Sequence, residues 1–256
     1  MPTEAFEARV RELVDQGKLT AEAARGLLGA EAAPPTLEVA AEVAPARVSI
    51  ELTHGAVSVR GRAGLAQPRL VRASDAVSLT ATAAGWTVQH RPVRDIGSAL
   101  DWVRAGLSSI SSANVELEVP ADLPLLEVRT VAGDVEVEDV AGNVRVNVTA
   151  GDVDLDGVSG FDVTARTGSV RVRGRIQLGE HRIQLYTGDA ELVLEPGSSA
   201  ELELSTVMGR LDARDLELRR AAGLARAHEA TVGAGDARIA IATVTGDVDV
   251  RAGKER

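Results

Sequence analysis

Residues 125–158 read LLEVRTVAGDVEVEDVAGNVRVNVTAGDVDLDGV, and one short phrase inside them returns through the rest of the chain: a glycine, a small or polar residue, then apolar, polar, apolar. It stands as GDVEV at Gly133, GNVRV at Gly142, GDVDL at Gly151, GSVRV at Gly168, GDAEL at Gly188, GRLDA at Gly209, GDARI at Gly235 and GDVDV at Gly246. Self-similarity of this kind marks a repeat architecture, in which units too small to fold alone stack to bury a shared core.

The parity of the phrase identifies its secondary structure. Alternate side chains of a strand point to opposite faces. Val135 and Val137, Val153 and Leu155, Val170 and Val172, and Val248 and Val250 therefore share one face, while Asp134, Glu136, Asp154, Arg171 and Asp249 point to solvent. The leading glycine supplies the backbone angles of a sharp corner, and the Asp, Asn or Ser beside it favours such turns. Pairs of short strands between corners recur about every 18 to 20 residues, the length of one solenoid coil. A sandwich of hairpins would call for more aromatics and for Asn-Gly turns. The expected fold is mainly β: a single-stranded parallel β-solenoid (β-helix), preceded by a small N-terminal α-helical hairpin.

That hairpin is read from residues 1–29. Phe6, Val10, Leu13 and Val14 fall at helical spacing, Gly17 closes the first helix, and Thr20 caps a second that carries Ala24, Leu27 and Leu28. So short a pair must dock onto something to bury its apolar stripe. Residues 30–46 are an Ala-, Glu- and Pro-rich linker, in which Pro34, Pro35 and Pro45 forbid a continuous helix. Residues 47–256 form the repeat domain. Within it, residues 95–112 space Ile96, Leu100, Val103, Leu107 and Ile110 as on a helix face near Trp102, and the stretch between Gly209 and Gly235 reads as a coil with a bulging loop.

Composition narrows the function classes. Hydrophobic residues make up 45% of the 256, but aromatics only 2%, so the core is built from Val, Leu, Ile and Ala in narrow layers. The formal net charge of −10 opposes the Lys- and Arg-driven phosphate binding on which nucleic-acid affinity rests, so no nucleic-acid partner is expected. The absence of cysteine excludes disulfides, thiolate nucleophiles and Cys-ligated zinc. The first residues, MPTEAFEARVRELVDQ, lack the apolar run of a signal peptide, and no stretch has the length of a membrane span, so a cytoplasmic location is expected.

The string from Leu125 to Val158, with its T-A-G-D and T-G-D phrases at Thr149, Thr187 and Thr245, resembles the bacterial "putative adhesin" β-helix family of unknown function, itself similar in appearance to the polymer-forming bactofilins. The segment VRELVDQGKLTAEAARGLLGA resembles the short SHOCT-like helical segment joined to that domain in cytoplasmic relatives. The resemblance implies a repeat fold and supplies no catalytic residues.

The residues themselves point the same way. Asp152, Asp154 and Asp156 lie on one solvated strand face, without the aromatic platforms of a sugar-cleaving groove. The nine-residue spacing of Gly133, Gly142 and Gly151 lacks the second glycine and the Asp position of a calcium roll. His54, His90, His181 and His228 have no ligand spacing, and Ser108, Ser109, Ser111 and Ser112 sit in no nucleophile elbow. No catalytic, cofactor-binding or metal-binding residue and no cofactor are assigned. The function expected is a non-enzymatic scaffold or protein-interaction module. Protein partners or self-association would act through Phe6, Val10, Leu13, Leu27, Leu28 and Trp102, and homo-oligomers through end-to-end assembly at an uncovered final coil, GDVDV. A carbohydrate-active β-helix enzyme and, from the resemblance alone, a regulatory protein of the envelope stress response are the alternatives.

Overall fold

Alternating aliphatics with a glycine at each corner can close a core only if successive coils lie in register, and they do. The computed structural model describes residues 46–74, 77–90, 114–214, 216–220 and 227–253. The chain divides into units Met1–Val43 and Ala44–Arg256, and all described residues belong to the second. The helical hairpin expected over 1–29, residues 30–45 of the linker and the short helix or ordered loop expected over 95–112 lie outside the described residues.

The described residues form twenty strands. The opening group is β1 (Val48–His54), β2 (Val57–Arg62), β3 (Arg69–Arg72), β4 (Val77–Thr82), β5 (Gly85–His90) and β6 (Val115–Pro120). The middle group is β7 (Leu125–Ala132), β8 (Val135–Glu138), β9 (Asn143–Ala150), β10 (Val153–Asp156), β11 (Gly160–Thr167), β12 (Val170–Gly174), β13 (Gly179–Thr187) and β14 (Ala190–Leu194). The closing group is β15 (Ala200–Met208), β16 (Leu211–Arg214), β17 (Arg219–Arg220), β18 (Ala227–Val232), β19 (Ala237–Thr245) and β20 (Val248–Ala252). They make an eleven-stranded sheet, β17-β18-β15-β19-β13-β11-β9-β7-β1-β5-β4, and a nine-stranded sheet, β16-β20-β14-β12-β10-β8-β2-β6-β3.

Through the middle group the chain alternates between the sheets, one strand in each per coil, with every pairing parallel. Matching positions stack in columns: Val135, Val153, Val170 and Ala190 form one, and Val137, Leu155, Val172 and Leu192 the next. All eight are buried. At ~1.5–3 kcal/mol for each buried Val or Leu, such columns supply the main drive for stacking.

The corner glycines form a column of their own. Gly55, Gly133, Gly151, Gly168, Gly188, Gly246 and Gly209 each precede a strand of the nine-stranded sheet. A Cβ on Gly168 would lie 2.0 Å from the Gly151 carbonyl oxygen, and one on Gly188 would lie 1.9 Å from that of Gly168, both at φ 134°. No L side chain fits there, by space or by angle. Gly142 and Gly235 stand elsewhere: they lead into β9 and β19 of the eleven-stranded sheet.

The acidic residue after the corner glycine does more than favour a turn. Asp134 Oδ1 accepts from the Asp152 amide of the next coil at 2.9 Å, and Asp152 Oδ1 accepts from the Ser169 amide at 2.7 Å. Asp189 holds the Asp247 amide, and Asp247 the Arg210 amide, in the same way. The repeated Asp is therefore a rung between coils.

The ends break the sequential order, and here the structure corrects the reading from sequence. The final coil, β19 and β20, lies between the coil of β13 and β14 and that of β15 and β16. GDVDV is covered on both sides, so the end-to-end assembly expected at an open final coil has no surface there. The stretch after Gly209 is not a bulged coil: it turns back, and β18 pairs antiparallel onto β15 with β17 beyond it. The opening repeats the device. The coil of β1 and β2 is enclosed between β5 and β6 on one side and β7 and β8 on the other. Beyond it, β4 and β3 pair antiparallel onto β5 and β6.

Candidate functional site

A strand with its inner face in the core offers only its outer face to a partner, and the two sheets use theirs differently. On the nine-stranded sheet most outer residues are charged, and many of them pair with opposite charges on the same or a neighbouring strand. Arg171 reaches Glu191 at 2.9 Å and Asp154 at 3.7 Å, Arg251 reaches Glu191 at 3.2 Å and Asp249 at 3.1 Å, and Arg60 reaches Glu138 at 2.6 Å. Burial pushes the Asp154 carboxyl up, with Arg171 opposing it. Side-chain hydrogen bonds from Arg69 and Arg62 hold Glu118 below the ordinary carboxylate range. A concavity of about 720 Å³ on this face is lined by Glu116, Asp134, Glu136, Asp152, Asp189 and others. Several of those carboxylates are already engaged by backbone amides or arginines.

The outer face of the eleven-stranded sheet holds a larger groove, about 1310 Å³, running from β5 to β15. One row of it is Gln89, Glu51, Arg129, Asn147, Thr164, Gln184, Ala242 and Ser205, paired residue to residue across eight strands. The row nearer the glycine corner holds Thr53, Val131, Thr149, Arg166, Tyr186, Val244 and Val207. Seven inter-strand steps give a length of about 34 Å. Tyr186 is 63% exposed. Arg129 faces Glu51 at 3.6 Å, whereas Arg166, Asn147, Gln184, Thr149 and Thr164 have no side-chain partner among the described residues. Beside the groove, Glu127 is buried and clasped by Arg47 and Arg145.

Beneath the same sheet, His181 occupies a core column and stacks against Phe161 with ring centroids 5.1 Å apart. Its Nδ1 accepts from the Phe161 amide at 3.2 Å, so its Nε2 carries the proton and donates to the Leu178 carbonyl at 2.9 Å. Burial lowers its pKa, and the hydrogen bond to the Leu178 carbonyl opposes that shift.

The family profile described as Toastrack DUF4097 matches residues 45–251. The chain belongs to the Toastrack DUF4097 family. No curated protein matches it. Among solved structures it is similar to a "putative cell adhesion protein" from Clostridium sporogenes, at 9% identity and a TM-score of 0.43, over 82% of this chain and 94% of that one.

The interaction residues expected from sequence, Phe6, Val10, Leu13, Leu27, Leu28 and Trp102, all lie outside the described residues. Trp86 packs half-buried against the core, and the carboxylate that lines the larger groove is Glu51. Among the described residues, acidic groups and tryptophan do not meet in a groove as a glycan-cleaving centre would require. No helix among them is long and apolar enough to cross a membrane. The groove escaped the sequence reading because its rows are the outward positions of eight different strands. The one available signal was Tyr186, an aromatic at an outward position of a chain that has a single tyrosine.

Proposed function

We propose that this Toastrack chain is a non-enzymatic binding module that works through the groove on its flank, with the helical pair of residues 1–29 as a second docking element. One observation carries the reading: many of the charged outer residues of the nine-stranded sheet are ion-paired, while the groove of the eleven-stranded sheet presents the amides of Asn147 and Gln184, the hydroxyls of Thr149 and Thr164, the Tyr186 phenol and the Arg166 guanidinium with no side-chain partner among the described residues. Exposed polar groups held in register on a rigid scaffold need no reorganisation on binding, which lowers the entropic cost of recognition. The enclosure of the first and last coils favours a discrete module over a polymer joined through GDVDV.

A photo-crosslinking amino acid placed at position 186, and in parallel at position 173 on the opposite face, tests this in the cell of origin. Adducts to a macromolecule are expected from position 186 and not from position 173. Adducts from neither position, or from position 173 alone, would overturn the reading. Removal of residues 1–29 should leave the position-186 adducts in place and abolish any second contact made by the helical pair.

A further inference from the structure

We propose that the groove binds an extended polysaccharide carrying scattered carboxylate groups, laid along the solenoid axis. This rests on the binding-module reading and names the class of ligand. The groove repeats its side chains once per coil, about every 4.8 Å. In a two-fold β-1,4-linked polysaccharide the same face recurs every second ring, close to the rise of two coils, whereas an extended peptide repeats a face every two residues, ~6.6 Å, which matches neither one coil nor two. A peptide would also need a free strand edge to pair its backbone, and the strands under the groove are already paired on both sides. An amphipathic helix needs an unbroken apolar stripe, but Thr149 and Arg166 interrupt the row between Val131 and Tyr186.

The chemistry of the free groups fits a sugar. The amides of Asn147 and Gln184 and the hydroxyls of Thr149 and Thr164 each both donate and accept, as sugar hydroxyls do. Tyr186 offers a flat apolar face with a polar tip. Arg166, one coil from Tyr186, has no acidic partner among the described residues, and it supplies the charge complementarity for a carboxylate. The net charge of −10 would repel a densely charged polyanion, but at a screening length of ~8 Å isolated carboxylates on an otherwise neutral chain are tolerated.

Calorimetry on the full chain with two probes tests the proposal: a hexasaccharide alternating glucuronate and N-acetylglucosamine, and the neutral β-1,4-glucose hexamer. The acidic hexamer should bind more tightly than the neutral one. Arg166→Gln should weaken the acidic hexamer about tenfold and leave the neutral one unchanged. Tyr186→Ala should weaken both, about three- to tenfold. Arg173→Gln, on the opposite face, should change neither. All three positions are exposed, and circular dichroism establishes that the variants fold. The proposal is overturned if neither hexamer binds, if both affinities ignore Arg166→Gln and Tyr186→Ala, or if an acidic decapeptide binds more tightly than either sugar. Position-186 adducts made only of protein would overturn it while leaving the binding-module reading intact.

Discussion

From β7 to β14 each coil lies on the one before it in sequence, whereas at both ends the first and last coils are enclosed by strands from elsewhere in the chain. The middle is stabilised by identity: the same aliphatic, glycine and Asp positions recur, and each coil is a template for the next. The ends are stabilised by enclosure. An open coil would expose a row of unpaired backbone groups, and antiparallel β18 and β4 take that place. Stability in the middle therefore depends on the strictness of the repeat, while the ends have room for variation.

Paired substitutions can break this contrast. The largest effect is expected from Gly168→Ala, where the new Cβ would sit 2.0 Å from a carbonyl oxygen at φ 134°; a loss of roughly 4 kcal/mol or more, or failure to fold, is expected in urea unfolding. Gly64→Ala, in the opening group, meets nothing within 4 Å at φ 76° and should cost only about 1–2 kcal/mol. Equal losses at the two glycines would refute the contrast.

Leu155→Ala, in the middle of a fully buried column, should cost about 2–5 kcal/mol. Leu211→Ala, on half-buried β16 at the edge, should cost about 1 kcal/mol in the same titration. Asp152→Ala removes the acceptor of the Ser169 amide and should lower stability by about 1 kcal/mol. Asp212→Ala, whose carboxylate meets only the exposed Arg214 among the described residues, should be nearly neutral.

The smallest effect is a pH dependence. His181 is held neutral, with its pKa depressed below 6.5 by burial, so its contribution to stability is complete above pH 6.5 and is lost as pH falls through the folded-state value. The melting temperature of the wild type should therefore fall faster than that of His181→Phe on acidification just below pH 6.5. Parallel curves would exclude His181 as the source.

The contrast also explains what was legible in the sequence. Parity at Val135 and Val137 and their counterparts yields the strands, the corners and the composition of the core, because these follow from local alternation. The order of coils along the axis does not follow, since the GDVDV of an enclosed coil reads like the GDVDL of a sequential one. Neighbours in sequence are usually neighbours in space, and the ends are where this rule fails. The role of Asp134 and Asp152 was half legible: the turn is local, but the amide each accepts from belongs to another coil. The groove was hidden because its two rows run across strands, and only the register of seven of them brings Thr53, Val131 and Tyr186 to one surface.

Hydrogen exchange of backbone amides tests the enclosure most directly, because protection follows a strand's neighbours. β19 and β20 lie between paired strands on both sides, whereas β16 pairs only with β20 among the described residues. Amides of Ala237–Thr245 and Val248–Ala252 should exchange as slowly as those of the middle coils and more slowly than those of Leu211–Arg214. Exchange of the final coil as fast as that of β16, or faster, would contradict the enclosure.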